Sequence, residues 1–182
     1  MKSEGTAKQN REIVKKLFSA SDGEVLSVIR EIRSNGNPGL IPALIKLYDT
    51  TGSRAVSTAV VSLIRDLKSQ PAVSQLFPAI HEIKDPEKRR ELVAACWQSG
   101  LDFSEHLDTF LDIFSRGDYM TALEAFTVIE NSLPYLHDVS PLQEHISRLK
   151  DNLPENNDEK KALSRALLSL MEEHLLFLSS QP

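Results

Sequence analysis

A chain of 182 residues with 41% hydrophobic and 26% charged side chains holds enough apolar material for one sizeable domain or a short repeat array. Its formal charge of −5 argues against nucleic acid as the main partner, because phosphate binding draws on a surplus of clustered Lys and Arg. No apolar run approaches the roughly 20 residues needed to span a bilayer, Met1 to Asn10 has no apolar core of a signal or anchor, and the single Cys96 fits a reducing, cytoplasmic setting.

Punctuation and apolar spacing predict ten helices and no strand. The helices fall near 7–19, 22–35, 39–49, 53–68, 73–84, 86–99, 103–115, 118–132, 140–152 and 157–179. Ser21-Asp22-Gly23-Glu24 and Ser140-Pro141-Leu142-Gln143 read as capping boxes, and Asp85-Pro86-Glu87 as an acid cap followed by a first-turn proline. Gly36, Gly52, Gly100 and Gly117 follow helix-length segments, where glycine commonly closes a helix. The β-branched run from Val56 to Ile64 still reads as helix. Val56, Ala59, Val60, Leu63, Ile64 and Leu67 form one helical stripe, and packing overrides weak intrinsic propensity. The longest interior connections are Asn131 to Asp138 and Asp151 to Asn157.

Two stretches nearly duplicate each other: Ile41-Pro42-Ala43-Leu44-Ile45-Lys46-Leu47-Tyr48-Asp49 and Phe77-Pro78-Ala79-Ile80-His81-Glu82-Ile83-Lys84-Asp85, offset by 36 residues. Looser copies follow in Leu107, Phe110, Leu111 and Phe114, ending at Asp118, and in Leu142, Ile146 and Leu149, ending at Asp151. Such a period is that of stacked helical repeats. Pro42 and Pro78 are expected at the same place, within the first turn of their helices, where the missing N–H costs little.

The segment Gly36-Asn37-Pro38-Gly39-Leu40 through Asp49, then Thr50-Thr51-Gly52-Ser53-Arg54-Ala55-Val56 and an apolar helix to Leu67, resembles the HEAT-like or armadillo-like α-helical repeat family. The resemblance is good over about residues 22–100 and looser to 152. It implies an all-α, right-handed α-solenoid of about four HEAT-like helix pairs with an N-terminal helix and a C-terminal capping helix. The expected organisation is an N-terminal helix or tail over 1–20 and one solenoid domain over 21–182. In that family the second helix of each pair commonly lines a concave, partner-binding side. Carried over by position, the candidate partner-binding residues are Lys46, Asp49, His81, Glu82, Lys84, Asp108, Asp112, Glu144 and Arg148.

No catalytic, cofactor or metal motif is expected. His81, His106, His137, His145 and His174 are dispersed, without the one-turn pair of a helical zinc site, and read as surface histidines. Cys96 lies in apolar Leu92-Val93-Ala94-Ala95-Cys96-Trp97 and reads as a packing thiol, with Trp97 as the large core residue of its unit. Lys88-Arg89-Arg90, Lys15-Lys16 and Lys160-Lys161 read as solvated helix faces. On the last helix, Leu163, Ala166, Leu167, Leu170, Met171, His174, Leu175 and Leu178 form one face. Leu168, Leu176 and Phe177 widen it, which suggests either burial on two sides or a self-association surface.

These observations lead to an expectation of a non-enzymatic scaffold that binds a protein or peptide. The alternative is a HEAT-like enzyme or nucleic-acid-binding protein of the DNA-modifying type. It would call for a basic stripe with an aromatic residue and a catalytic acid, whereas the stripe here mixes acids and bases.

Overall fold

The computed structural model describes residues 2–35, 37–152 and 158–180. Gly36 and the stretch 153–157 of the second long connection lie outside the described residues. Among the described residues the chain is all-α, with ten α-helices. They are α1 (Lys2–Ser19), α2 (Asp22–Asn35), α3 (Ile41–Thr50), α4 (Arg54–Arg65), α5 (Val73–Glu82), α6 (Pro86–Ser99), α7 (Leu107–Arg116), α8 (Tyr119–Ser132), α9 (Val139–Asp151) and α10 (Asp158–Ser179). No helix among these residues is long and apolar enough to cross a membrane.

Contacts group the chain into two compact units, Met1–Leu101 and Asp102–Pro182. In the first, α1, α3 and α5 pack side by side as one row and α2, α4 and α6 as another, with α3 also against α4. In the second, α7 packs on α8 and α9, and α10 on α8 and α9. Each unit therefore stacks its helices in two rows, the arrangement of an α-solenoid, in which each helix buries its stripe only against neighbours.

The apolar spacing dictates which side chains fill these layers. Helix α4 buries Val56, Val60, Val61, Leu63 and Ile64, so the β-branched run is a helix as its periodicity requires. The repeat copies bury equivalent positions: Ile41, Leu44 and Leu47 in α3, and Phe77, Ile80 and Ile83 at the end of α5. Phe110, Leu111 and Phe114 in α7 and Leu142, Ile146 and Leu149 in α9 are buried likewise. Phe103 meets Phe110 edge-to-face, with ring centroids 5.6 Å apart.

Local signals set most boundaries. Asp85 Oδ1 accepts from the Glu87 and Lys88 N–H groups, and Asp118 Oδ1 from Thr121 N–H at 2.7 Å, each satisfying free donors of a first turn. At Ser21 half of the expected box forms: Glu24 Oε2 accepts from the Ser21 N–H at 3.0 Å, while the Ser21 hydroxyl turns to the same carboxylate. Gly100 closes α6 at φ 69°, a left-handed conformation that suits glycine. Gly117 is required for a different reason, because a Cβ there would lie 2.8 Å from the Ile113 carbonyl oxygen and 2.9 Å from Thr121 Cβ.

Several expectations need correction. Helix α1 begins at Lys2, not near residue 7. The box at Ser140 does not form: α9 starts at Val139 after Asp138, with no side-chain cap, and Pro141 sits inside its first turn. Pro42 is the second residue of α3, as expected, but Pro78 is interior to α5. A 3₁₀ turn, Gln70–Ala72, lets α5 start at Val73 and bury Val73 and Leu76, so its helix runs one turn ahead of its repeat counterpart. Ser74, whose carbonyl loses its donor to Pro78, is exposed, and water can replace that bond. Trp97 is half-buried, and the core of α6 is made instead by Leu92, Val93, Ala95 and Cys96.

Helix α10 buries Ser164, Leu167, Leu168 and Met171. Leu168 is thus a core residue and not part of an outer apolar surface, because the buried stripe is centred one position away from the expected face. Leu176 and Phe177 remain 71% and 58% exposed.

Candidate functional site

The near-duplicate segments place Pro42 and Pro78 on the outside of adjacent helices, with Ala43 half-buried and Ala79 buried beside them. A helix that buries Leu44, Ile45 and Tyr48 must turn Pro42 and Lys46 away from the core, and the copy does the same with Pro78 and Glu82. Because α3 packs on α5, and α1 on α3, these positions line one open groove together with Val14 and Phe18 of α1. Its floor is apolar and shallow. Phe18 is 46% exposed on one side, and Lys46 and Glu82 occupy equivalent register on the other. Both are exposed, and among the described residues neither side chain has an ion-pair or hydrogen-bond partner. The groove thus combines a half-exposed aromatic ring with two opposite charges that have no partner among the described residues.

The remaining candidates in the first unit are dispersed. His81 and Lys84 are exposed, Lys84 lying beyond the end of α5, and Asp49 is half-buried. Asp49 contributes its main-chain oxygen to a cap, described next.

Lys88 is not a solvated face residue. Its ammonium donates to the main-chain oxygens of Tyr48, Asp49 and Thr51 at 2.9, 2.8 and 3.3 Å, closing the C-terminal end of α3. It also lies 5.5 Å from the Tyr48 ring centroid, and the Tyr48 hydroxyl donates to Glu91 Oε2 at 2.6 Å. Burial, with Glu91 alongside, pushes the Tyr48 phenol well above its ordinary range. The second unit repeats the device. Lys160 donates to the main-chain oxygens of Ser115 and Gly117 at 2.6 and 2.7 Å, at the end of α7, and desolvation lowers its pKa. A cation at carbonyls left over at a helix end is favourable both as hydrogen bonds and against the helix dipole.

In the second unit two of the four candidates partner each other. Arg148 of α9 pairs with Asp108 of α7, and Asp112 with Arg116 at 3.0 Å. Asp112 and Arg148 line a polar groove with Ser115 and Asn152. Glu144 is exposed. His145 belongs to this cluster although the sequence marked it as a surface residue. Its side chain is only 12% exposed, and Nδ1 lies 3.3 Å from Asp108 Oδ1 without the alignment of a hydrogen bond. Desolvation lowers its pKa, opposed by Asp108. The available signal was its spacing, three residues before Arg148 on the same helix face.

Burial raises the Cys96 thiol to about 12, so the thiolate is suppressed. Among the described residues no three His, Cys, Asp or Glu side chains are grouped so that they could hold a metal ion.

No protein-family model and no curated protein matches the chain. Among solved structures it is similar to a designed armadillo repeat protein, with 14% identity over 88% of this chain and 98% of that one and a TM-score of 0.34.

Proposed function

We propose that the chain is a non-enzymatic scaffold module that binds a protein or peptide segment across the α1, α3 and α5 face of its first unit. The observation that carries this reading is the groove floored by the two Pro-Ala pairs, with Phe18 exposed at one side and the unpartnered Lys46 and Glu82 at the other. Aromatic anchors beside small residues supply contact area at low entropic cost, and flanking charges set orientation. The matching ligand carries an apolar side chain at its centre, an acid to meet Lys46 and a base to meet Glu82. A reducing cytoplasm is the setting that the single buried cysteine suits. Nucleic acid fits less well, since Lys88 and Lys160 are committed to main-chain oxygens and Arg33, Arg116 and Arg148 to carboxylates.

Exchanging the two charges tests the reading. Peptides selected for binding to the wild-type chain should lose about tenfold in affinity for the Lys46→Glu/Glu82→Lys variant, and peptides of inverted charge order should gain it. Selected peptides that bind both proteins equally would refute the orientation and the site.

A further inference from the structure

A second cavity opens at another place in the first unit, where α2 and α4 end and the 3₁₀ turns Pro38–Leu40 and Gln70–Ala72 meet. Its volume is about 310 Å³, the small end of the range for ligand sites. Ile32, Ile41, Leu44, Leu63 and Ala72 form an apolar floor, all of them core residues, with Ile32 and Leu63 keeping a small exposed area and Leu67 half-buried beside them. The rim is polar and unevenly charged. Arg33 pairs with Asp66 at 2.9 Å and donates to the Ser62 hydroxyl at 2.9 Å, whereas Lys68 is exposed with no partner among the described residues. Ser69, also on the rim, begins the second 3₁₀ turn without capping it through its side chain. Two cations against one anion leave the mouth with a surplus positive charge above an apolar interior.

We propose that this cavity binds a small amphiphilic anion, a medium-chain free carboxylate. Its tail packs against Ile32, Leu63 and Leu67, directly over Leu44, and its head meets Lys68 and the outer face of Arg33. Charge complementarity selects the anion, since a cationic head would stand against Lys68 and Arg33 with only the already paired Asp66 to receive it. Apolar walls select the tail, because a hydrophilic anion would leave them wet.

Octanoate, octylammonium and acetate, titrated separately into the full chain, test the proposal, with the methyl NMR signals of Ile32, Leu44 and Leu63 as the readout. Octanoate should shift these methyl signals saturably, with octylammonium at least about tenfold weaker and acetate without effect. Lys68→Glu, at an exposed position, should weaken octanoate about tenfold while leaving the melting temperature unchanged. Leu67→Trp, at a half-buried position lining the cavity, should fill it and abolish the shifts. Absence of saturable shifts, equal affinity for the two octyl probes, or an unaltered response in Lys68→Glu would each overturn the proposal. So would shifts produced by phosphatidylglycerol vesicles and not by free octanoate, which would make the ligand a membrane lipid.

Discussion

Lys88 holds the end of the helix that carries Tyr48: its ammonium donates to the Tyr48 main-chain oxygen at 2.9 Å and stands 5.5 Å from the centroid of the same residue's ring. One side chain thereby ties α6 to α3 across the two helices, α4 and α5, that lie between them in sequence. Lys160 makes the corresponding tie from α10 to the end of α7.

The first prediction concerns these ties. Lys88→Met retains the apolar stem but removes three donors from buried or half-buried carbonyls, and should cost about 1–2 kcal/mol. Amide hydrogen exchange should rise locally over the α3–α4 turn. Lys160→Met should do the same at the α7–α8 turn, leaving α3 unchanged. Wild-type exchange in both variants would show that the lysines are dispensable.

Acid should weaken the second unit through His145. The folded pKa lies below the ordinary 6.5, mainly because burial disfavours the imidazolium, with Asp108 opposing and Arg148 reinforcing that shift. A histidine depressed in this way contributes stability above the unfolded value near 6.5, and the contribution is lost as pH falls through the folded value. His106 in the same unit is depressed by desolvation as well and adds in the same direction. Unfolding midpoints measured from neutral pH into the acid range should therefore decline less steeply in His145→Asn than in the wild type. Parallel curves would rule out this linkage.

Two residues of α10 separate core from surface. Leu168 is 9% exposed and Phe177 58%. Leu168→Ala should destabilise by about 2–4 kcal/mol through lost burial and a residual cavity, whereas Phe177→Ser should stay within about 0.5 kcal/mol. Denaturant unfolding reads both directly, and a reversal of their order would displace the buried stripe assigned to this helix.

Much of the fold was legible because it depends on periodicity. The spacing of Val56, Val60, Leu63 and Ile64 imposed a helix despite β-branched composition, and Asp85-Pro86-Glu87 marked the start of α6 at its observed residue. What escaped depends on which helix packs where. Pro78 looked like Pro42, yet burial of Val73 and Leu76 extends α5 by a turn ahead of the repeat. Leu168 and Phe177 both widened the apolar face of α10, and only the position of α8 and α9 decides that the first is covered. The candidate site was half visible: Lys46 and Glu82 followed from the repeat register, while Phe18, on a helix outside the repeat, required the packing of α1 on α3. Lys88 and Lys160 were hidden for the same reason, their acceptors being main-chain oxygens distant in sequence.

The central claim, that the α1, α3 and α5 face receives a protein segment, is tested most directly by photo-crosslinking from that face in cell extract. A benzophenone side chain at position 46 should give a discrete covalent adduct that disappears when Phe18→Asp is added, while the same probe at Arg30, exposed on α2 in the other row, should give none. Adducts that form equally from position 30, or that persist unchanged with Phe18→Asp, would contradict the assignment of this groove as the binding surface.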